Sequence, residues 1–497
     1  MNHDSSTART EEEHAQAQSS SLFFLLMAFL VFMDTNIIME TGNGCSRYPL
    51  FLFYSSLGFS DQGFFIDMYF SAKGQPMNDL VLSLDHLTHA SDLEAHSDLG
   101  QIIDQIRHAQ QRGEVSHNVV VLPGFCDVHV HLREPGQTYK ETIATGTRAA
   151  ARGGFTTVGA MPNLDPVPDS LANLELEQVA ITRDALIETI PYASVTKDEA
   201  GIELSDIAQL APHVIGFSDD GHGVDNPELM KQALRQLAQA QSIVAIHAEV
   251  GQLRPAGASI NDGPFAAKHN LVGIPKEAEY LQIERDIQML RELKAEGYLP
   301  AYHVCHISCG ESAQLIRDAR AEGLNVSCET AMHYLLVDES MISDNGRFKM
   351  NPPLRQPSDR QALIQALIDG TVNMIATDHA PHSAQEKSQG LAGSAFGVVG
   401  LEISFPLFYT HFVKTGQLSL ERAVELFTTA GRQRFNIPAR QTDWTIWDLD
   451  ASYTVDPNEF ASLGRATPFD GWDISGRCLA TFYDGHLIYN ALDEETK

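Results

Sequence analysis

The chain has few basic residues and few cysteines for its length. Its 497 residues include 34 Lys and Arg against 65 Asp and Glu, which gives a formal net charge of −31. Proteins hold a nucleic-acid backbone mainly through Lys and Arg, so this balance argues against nucleic acid as a partner. Six cysteines without a Cys-x-x-Cys spacing are too few for a disulfide scaffold or a zinc ribbon. We therefore expect reduced, mostly buried thiols.

Long apolar runs are also missing. The longest run, Leu22–Met33, has twelve residues, whereas a helix needs about 20 to cross a bilayer. The residues before this run are acidic and no small-residue cleavage site follows it, so a secretory signal is not indicated. We interpret residues 1–66 as an N-terminal extension. Two origins stay open: a later start at Met68 or Met77, or a membrane-surface or regulatory segment.

Eight short β-branched or apolar runs alternate with helical patterns after residue 118. This alternation is typical of βα units around a parallel sheet. It predicts an α/β fold, a (β/α)8 barrel, whose reactive groups lie at the C-terminal ends of the strands. The predicted strands are 119–131, 155–162, 188–196, 213–220, 242–249, 300–308, 325–334 and 372–380.

The length allows about two to four domains. Helical patterns cover 226–241, where Asn226 is the expected N-cap, and 277–297, which ends in glycine. Short strand patterns follow the barrel and also precede it at 81–87, which predicts a small β-domain built from both flanks. We predict these divisions: an extension over 1–66, the N-terminal part of the small β-domain over 67–121, the catalytic barrel over 122–435, and the C-terminal part of the small β-domain over 436–497.

Histidines and aspartates recur at the predicted strand ends. His129 and His131 alternate along one strand and so point to the same face. Such a pair alone can be structural, but recurrence at several strand ends favours a metal site. Imidazole and carboxylate without thiolate suit a catalytic Zn²⁺, with Mn²⁺ or Co²⁺ as alternatives. The later candidates are His247, His306, Asp378, His379 and His382.

At these residues the chain resembles the amidohydrolase superfamily and, within it, the dihydroorotase family. The matching strings occur in order over about 350 residues, and HLREPG, KMNPPLR and TDHAPH together separate this family from hydantoinases and allantoinases. The strings include DVHVHLREPG (127–136), GFSDDG (216–221), IHAE (246–249), YHVCHIS (302–308), FKMNPPLR (348–355) and IATDHAPHS (375–383).

The resemblance implies one or two Zn²⁺ ions per chain. The first ion would be bound by His129, His131 and Asp378, and the second by His247 and His306. Many relatives bridge the two ions with a carboxylated lysine after the fourth strand, but no lysine lies between residues 197 and 231 here. The string GFSDDG (216–221) resembles that of a bacterial subgroup in which an aspartate takes the place of the carboxylated lysine. Alignment with that pattern selects Asp220, and Asp219 stays an alternative.

The resemblance also implies the reaction, which is the reversible cyclisation of N-carbamoyl-L-aspartate to L-dihydroorotate and water in pyrimidine biosynthesis. A metal-activated water would be the nucleophile, and Asp378 the general acid and base. Arg133 suits bidentate capture of the substrate carboxylate that does not react. The other implied substrate-binding residues are His131, Asn163, Asn351, His382, Phe396 and Gly397.

The same residues bear on two alternative functions. A related cyclic amidase, a hydantoinase or allantoinase, would not need Arg133 and Asn163, which suit a substrate carboxylate. An inactive scaffold for aspartate transcarbamoylase would lose metal ligands, yet every ligand position is filled. We expect a cytoplasmic homodimer, with aspartate transcarbamoylase as a candidate partner. His333 lies in CETAMHYL, a string that departs from the family pattern, and we interpret it as supporting or structural.

Overall fold

The structure is a computed structural model that describes residues 82–83 and 98–494. The predicted extension over 1–66, the run Leu22–Met33, and the two candidate start methionines lie outside the described residues. Within the described part of the chain, no helix combines the length and apolar character needed to cross a membrane.

The described residues form a mixed α/β structure. The strands are β1 (Leu82–Ser83), β2 (Val119–Pro123), β3 (Phe125–Val130), β4 (Phe155–Ala160), β5 (Glu188–Pro191), β6 (Ile243–Ile246), β7 (Ile260–Asn261), β8 (Gly273–Ile274), β9 (Ala301–Val304), β10 (Val326–Thr330), β11 (Met374–Ile375), β12 (Trp444–Thr454), β13 (Asp473–Tyr483) and β14 (His486–Asn490). The helices are α1 (Asp98–Arg112), α2 (Ile143–Arg152), α3 (Leu171–Asp184), α4 (Ile207–Leu210), α5 (Pro227–Gln239), α6 (Pro264–His269), α7 (Glu277–Ala295), α8 (Gly310–Ala321), α9 (Met332–Leu336), α10 (Pro357–Ile368), α11 (Ala384–Lys387), α12 (Gly390–Gly393), α13 (Ser404–Phe408), α14 (Leu420–Phe427), α15 (Thr429–Arg434) and α16 (Ala491–Glu494).

Parallel pairing arranges the barrel strands in a ring. One sheet has the order β3-β4-β5 and another the order β6-β9-β10-β11. Parallel bridges at Phe217 join Ala193, beyond β5, to Val244 in β6. On the other side, Val130 of β3 pairs with His379, beyond β11. The pairing therefore runs through eight positions, and it brings the C-terminal ends of these strands to one side.

The fourth predicted strand, 213–220, is reduced to the bridges at Phe217. The reason lies in the next turn, where the Asp219 carboxylate accepts the backbone N–H groups of Val195 and Thr196. The Asp219 side chain thus takes up backbone N–H groups that would otherwise pair with the backbone of a longer fourth strand. The eight predicted strand positions agree with the ring, but the predicted fourth strand is longer than the one in the structure.

The predicted first strand, 119–131, is divided at Gly124. β2 pairs with β12 in a separate sheet, whereas β3 enters the barrel. A Cβ on Gly124 would lie 2.3 Å from Oγ1 of Thr156, so only glycine permits this close approach. One continuous apolar run in the sequence therefore supplies strands to two different sheets.

Segments from both flanks of the barrel form a five-stranded antiparallel sheet in the order β1-β2-β12-β13-β14. Trp447 of β12 stacks on Phe125 of β3, with 5.6 Å between the ring centroids, and lies 4.6 Å from Phe405. This aromatic contact joins the sheet to the barrel core. The sheet combines strands from before and after the barrel, as expected of the small β-domain. The domain boundaries stay a prediction.

Two other expectations can be compared directly. Helix α5 begins after Asn226, whose side chain accepts the N–H groups of Glu228 and Leu229, and α7 is followed by Gly297 at φ +92°. Both predicted helices are therefore present. The cysteines of the described part are buried and free, as expected, and Cys45 lies outside it.

Candidate metal centre

The candidate site lies where β3 and the segment after β11 meet. Asp127, fully buried in β3, accepts the backbone N–H of His129 at 3.0 Å. It also accepts the N–H of Thr377 at 3.1 Å and its hydroxyl at 2.5 Å. Thr377 precedes Asp378, so one carboxylate fixes the two segments that carry His129 and Asp378.

The Asp220 carboxylate faces four histidines. Its Oδ1 lies 3.5 Å from His129 Nε2, 3.4 Å from His306 Nε2 and 3.8 Å from His247 Nδ1. Its Oδ2 lies 3.5 Å from His131 Nε2. Burial alone would raise the pKa of Asp220, but His129 and His306 hold it well below its usual range. An ionised carboxylate therefore lies between two pairs of imidazoles.

Asp219 points away from these histidines. Its carboxylate accepts the N–H of Val195 at 2.7 Å, the N–H of Thr196 at 3.0 Å, and the Thr196 hydroxyl. Burial raises the pKa of Asp219 to about 6. Of the two aspartates that the sequence left open, the geometry favours Asp220 as the candidate ligand.

Asp378 lies beside the first histidine pair, 3.4 Å from His131 Nε2 and 3.7 Å from His129 Nε2. Burial opposes its ionisation, but the His131 hydrogen bond and the charge of His129 lower its pKa. Asp378 has φ +46° and His306 has φ +32°, a region that residues with side chains rarely occupy. Such backbone strain is common where a site dictates the direction of a side chain.

These residues fit a divalent metal ion. His129 Nε2 and Asp220 Oδ1 are buried and have no hydrogen-bond partner. Two groups, His129–His131–Asp378 and His129–Asp220–His306, each place their donor atoms within 4.8 Å of one another. His247 Nδ1 lies 3.1 Å from His306 Nε2. Buried nitrogen and oxygen atoms converging without protein partners are what a cation needs, and this donor set suits Zn²⁺ or a similar ion.

Glu329 supports His129 and was missed in the sequence. It lies in β10, with Oε1 at 2.6 Å from His129 Nδ1 and Oε2 at 3.0 Å from His303 Nε2. Burial raises its pKa, but the charge and hydrogen bond of His129 reverse this and lower it. A carboxylate on Nδ1 turns Nε2 towards the site. The sequence feature that indicates this role is a charged residue, Glu329, within the otherwise uncharged buried strand VSCET.

His247 has a similar support. The Asn351 amide lies 3.1 Å from His247 Nε2 and 3.3 Å from Glu249 Oε2, and that oxygen lies 3.8 Å from His247 Nε2. Burial raises the pKa of Glu249, but His247 and Arg254 lower it to about 2. For His247 to bind a metal through Nδ1, its Nε2 must carry the proton, and Glu249 Oε2 is the acceptor beside it. Asn351, predicted to bind substrate, donates to that same carboxylate oxygen. The Glu249 role was not predicted, although the residue stands in the IHAE string.

The other predicted substrate residues gather beside Asp220. Arg133 is buried, and its Nε donates to the Pro381 carbonyl at 3.3 Å. Its Nη2 lies 3.5 Å from His382 Nε2. Asn163 Nδ2 donates to the Asp220 carbonyl. Arg133 and His382, which come from two separate motifs, therefore lie side by side, and Asn163 from a third motif contacts Asp220.

Phe396 and Gly397 are held on the same side. His382 Nε2 donates to the Phe396 carbonyl at 2.7 Å. Lys387 donates to the carbonyls of Lys349, Ala395 and Gly397 at 3.0, 2.8 and 2.6 Å. The role of Lys387 was missed, and no motif signals it because its partners are backbone atoms.

Two histidines lie outside the donor set. His379 Nε2 lies 3.3 Å from the Ser462 hydroxyl and 3.5 Å from Glu141, which turns its ring away from Asp378. His333 is buried against Tyr334, with 4.2 Å between the ring centroids. Burial lowers the pKa of His333 to about 4. Both contacts fit structural or supporting roles.

The fold is similar to that of solved hydantoinases and dihydropyrimidinases. The L-hydantoinase (dihydropyrimidinase) from Arthrobacter aurescens superposes with a TM-score of 0.66 at 24% identity, covering 76% of this chain and 86% of that one. The dihydropyrimidinase from Brevibacillus agri gives a TM-score of 0.63 at 21% identity, covering 74% and 85%. These similarities concern the fold, and they confirm the predicted barrel class.

Sequence comparison identifies the family. Residues 118–312 match the family model described as dihydro-orotase-like. The dihydroorotase of Shouchella clausii is 44% identical over 399 residues, which covers 78% of this chain and 92% of that protein. The dihydroorotase of Listeria monocytogenes serotype 4a is 42% identical over 431 residues, covering 85% and 99%. The chain belongs to the dihydroorotase family.

The contacts of the two neighbouring aspartates predict different phenotypes. Asp220→Asn removes a charge that faces four histidines, so the metal content of the purified protein should fall. Asp219→Asn changes a side chain bonded to Val195 and Thr196, so it should lower thermal stability and spare the metal. Elemental analysis and thermal unfolding of both variants would test this. The opposite pattern would show that Asp219 is the ligand.

Glu329→Gln keeps the size of the side chain but removes the charge that orients His129. We expect metal affinity to fall by about 10- to 100-fold, as is typical when a carboxylate behind a ligating histidine is changed. Titration with a competing chelator would measure this, and Glu177→Gln is the matched control, since Glu177 is also buried but lies on α3. Equal metal affinity in the Glu329 variant and the wild type would contradict this role.

Proposed function

We propose that the chain is a dihydroorotase that interconverts N-carbamoyl-L-aspartate and L-dihydroorotate plus water, a step in pyrimidine biosynthesis. The observation that carries this proposal is the 44% identity to a dihydroorotase over 92% of that protein's length. The clustering of the family's motif residues around Asp220 supports it. The substrate is a small molecule with two carboxylates, one of which reacts while the other is held.

The proposed ligands are His129, His131 and Asp378 for one ion, and His247 and His306 for a second, with Asp220 between them. When bound, a divalent cation would polarise the amide carbonyl and lower the pKa of a water molecule. Zn²⁺ is the proposed metal because the donors are imidazoles and carboxylates without thiolate. No lysine lies near position 220 in the sequence, so activity should not depend on bicarbonate.

Arg133 is the proposed anchor of the carboxylate that does not react. Its planar guanidinium can form two parallel hydrogen bonds to a carboxylate. Burial and the charge of Arg133 lower the pKa of His382 to about 3, so His382 is neutral at physiological pH. Asn163 and Asn351 add neutral hydrogen bonds, and the Phe396–Gly397 backbone contacts the edge of the ring. Together these groups fix the ring amide relative to Asp378.

Asp378 is the proposed proton carrier. Its lowered pKa keeps it ionised, as a general base requires. In hydrolysis the carboxylate accepts a proton from the attacking water and delivers it to the ring nitrogen as the C–N bond breaks. In cyclisation the same group removes the proton from the ureido nitrogen and returns it to the departing water.

A hydantoinase-like activity is the main alternative, since the similar solved structures carry that name. Hydantoin and dihydrouracil lack the carboxylate that Arg133 would bind. The two proposals are separated by assaying one protein preparation with dihydroorotate, hydantoin and dihydrouracil. Turnover confined to dihydroorotate supports the present proposal.

Homodimer formation, association with aspartate transcarbamoylase and a cytoplasmic location stay predictions from the family resemblance. Light scattering of the purified protein would give its oligomeric state. Co-purification with aspartate transcarbamoylase would test the association.

Removal of the metal should abolish activity. The protein is dialysed against a chelator and then assayed for dihydroorotate hydrolysis before and after addition of Zn²⁺, Mn²⁺ or Co²⁺. We expect loss followed by recovery, because His129 Nε2 and Asp220 Oδ1 are buried without a hydrogen-bond partner in the protein. Full activity at a metal content far below one ion per chain would refute the metal-dependent mechanism.

Asp378→Asn should preserve the fold and remove most of the turnover. The variant keeps the side-chain volume but cannot accept the proton, and such losses are typically about 10²- to 10⁴-fold. The measurements are kcat in both directions, circular dichroism and metal content. Turnover close to that of the wild type would mean that another group acts as the base.

A further inference from the structure

Arg254 contacts two parts of the site at once. It lies on the long connection between β6 and α7, where its Nη1 donates to Glu249 Oε2 at 3.0 Å. Its guanidinium carbon also lies 4.8 Å from the ring centroid of Phe396. No sequence motif singled out this residue. Its two contacts lead to groups with different proposed roles, metal binding and substrate binding.

The Glu249 contact leads towards the second histidine pair. Glu249 Oε2 lies 3.8 Å from His247 Nε2 and accepts from Asn351 Nδ2 at 3.3 Å. The Glu249 side chain is only 7% exposed, against 30% for Arg254. An ion pair shielded in this way is screened less by water than one between exposed side chains. Arg254 therefore fixes the carboxylate that supports a candidate ligand.

The Phe396 contact leads towards the substrate. Lys349 Nζ lies 4.6 Å from the same ring centroid, so two cations contact one aromatic side chain. Cation–π contacts of this kind restrain a ring. The Phe396 carbonyl is bonded to His382. The position of the Phe396 ring and the backbone next to it thus depends partly on Arg254.

We propose that Arg254 is a positioning residue that couples the His247–His306 pair of the metal centre to the Phe396 side of the substrate site. The inference rests on the metal centre proposed above. When substrate restrains Phe396, Arg254 is restrained as well and holds Glu249 more firmly, and a restrained Glu249 acts on Phe396 in the same way. Metal and substrate therefore favour each other's binding, because coupling between two ligands is reciprocal.

Arg254→Gln tests the coupling, because glutamine keeps a planar polar end and loses the charge. We expect metal loss at a chelator concentration about 10-fold lower than for the wild type. We also expect a higher KM for dihydroorotate with a smaller change in kcat. In addition, saturating dihydroorotate should protect the wild type from chelation more than it protects the variant. Arg254→Lys, which keeps the charge, should recover part of each property.

Arg235 offers a matched control. It pairs with Glu296 at 2.7 Å and lies 5.8 Å from the Tyr298 ring, the same combination of contacts on the outer helix α5. Arg235→Gln should leave metal retention and KM unchanged. If Arg254→Gln behaves like Arg235→Gln in either measurement, the coupling is refuted.

His247→Asn separates this inference from the proposed metal centre. Metal loss in His247→Asn together with wild-type retention in Arg254→Gln would overturn only the role of Arg254. Unchanged metal content in His247→Asn would instead overturn the proposed ligand set, and the coupling with it. Metal loss in both variants, with protection by dihydroorotate weakened in Arg254→Gln, is the expected result.

Discussion

Charge buried at the strand ends is the constraint on which the site depends. Asp220 and Asp378 lie among four histidines within the barrel, with almost no exposure to water. Isolated carboxylates in such a place would be protonated, since burial disfavours the charged form. Here the imidazoles hold both pKa values low. Each ligand-bearing segment must therefore be fixed by other bonds, because movement of one histidine would leave a charge without a partner.

Those bonds come from residues that contact the histidines on the side away from Asp220 or bind their backbone. Glu329 holds the outer nitrogen of His129, while Glu249, which accepts from Asn351, lies beside that of His247. Asp127 fixes the backbone on which His129 lies. The other nitrogen of each of these two rings faces Asp220, which is how supporting carboxylates orient metal ligands. Three of these supports, Asp127, Glu249 and Glu329, are thus acidic residues outside the proposed metal and substrate contacts.

The sequence was sufficient for the barrel, and the candidate ligands it indicated lie close together because the ends of parallel strands meet whatever lies between them; their binding of a metal stays a prediction. Only the alignment with the family pattern separated Asp220 from Asp219, since the residues alone do not show which carboxylate binds the N–H groups of Val195 and Thr196. Glu329 and Lys387 were missed for a related reason. Glu329 contacts His129, which is distant in sequence, and Lys387 donates to backbone carbonyls, which have no residue signature. The division at Gly124 depended on contact with Thr156, which no local pattern records.

The small sheet has a consequence for how the chain folds. Its strand β2 precedes the barrel and pairs with β12, which follows it, so that Val121 lies opposite Ile446. During synthesis, the edge of β2 that pairs with β12 has no native partner until the barrel and then β12 have been translated. Contacts between such distant segments close late and slow folding. An unpaired edge of this kind also invites pairing with other chains. The interval between translation of β2 and translation of β12 is therefore one in which this edge of β2 is open to pairing with another chain.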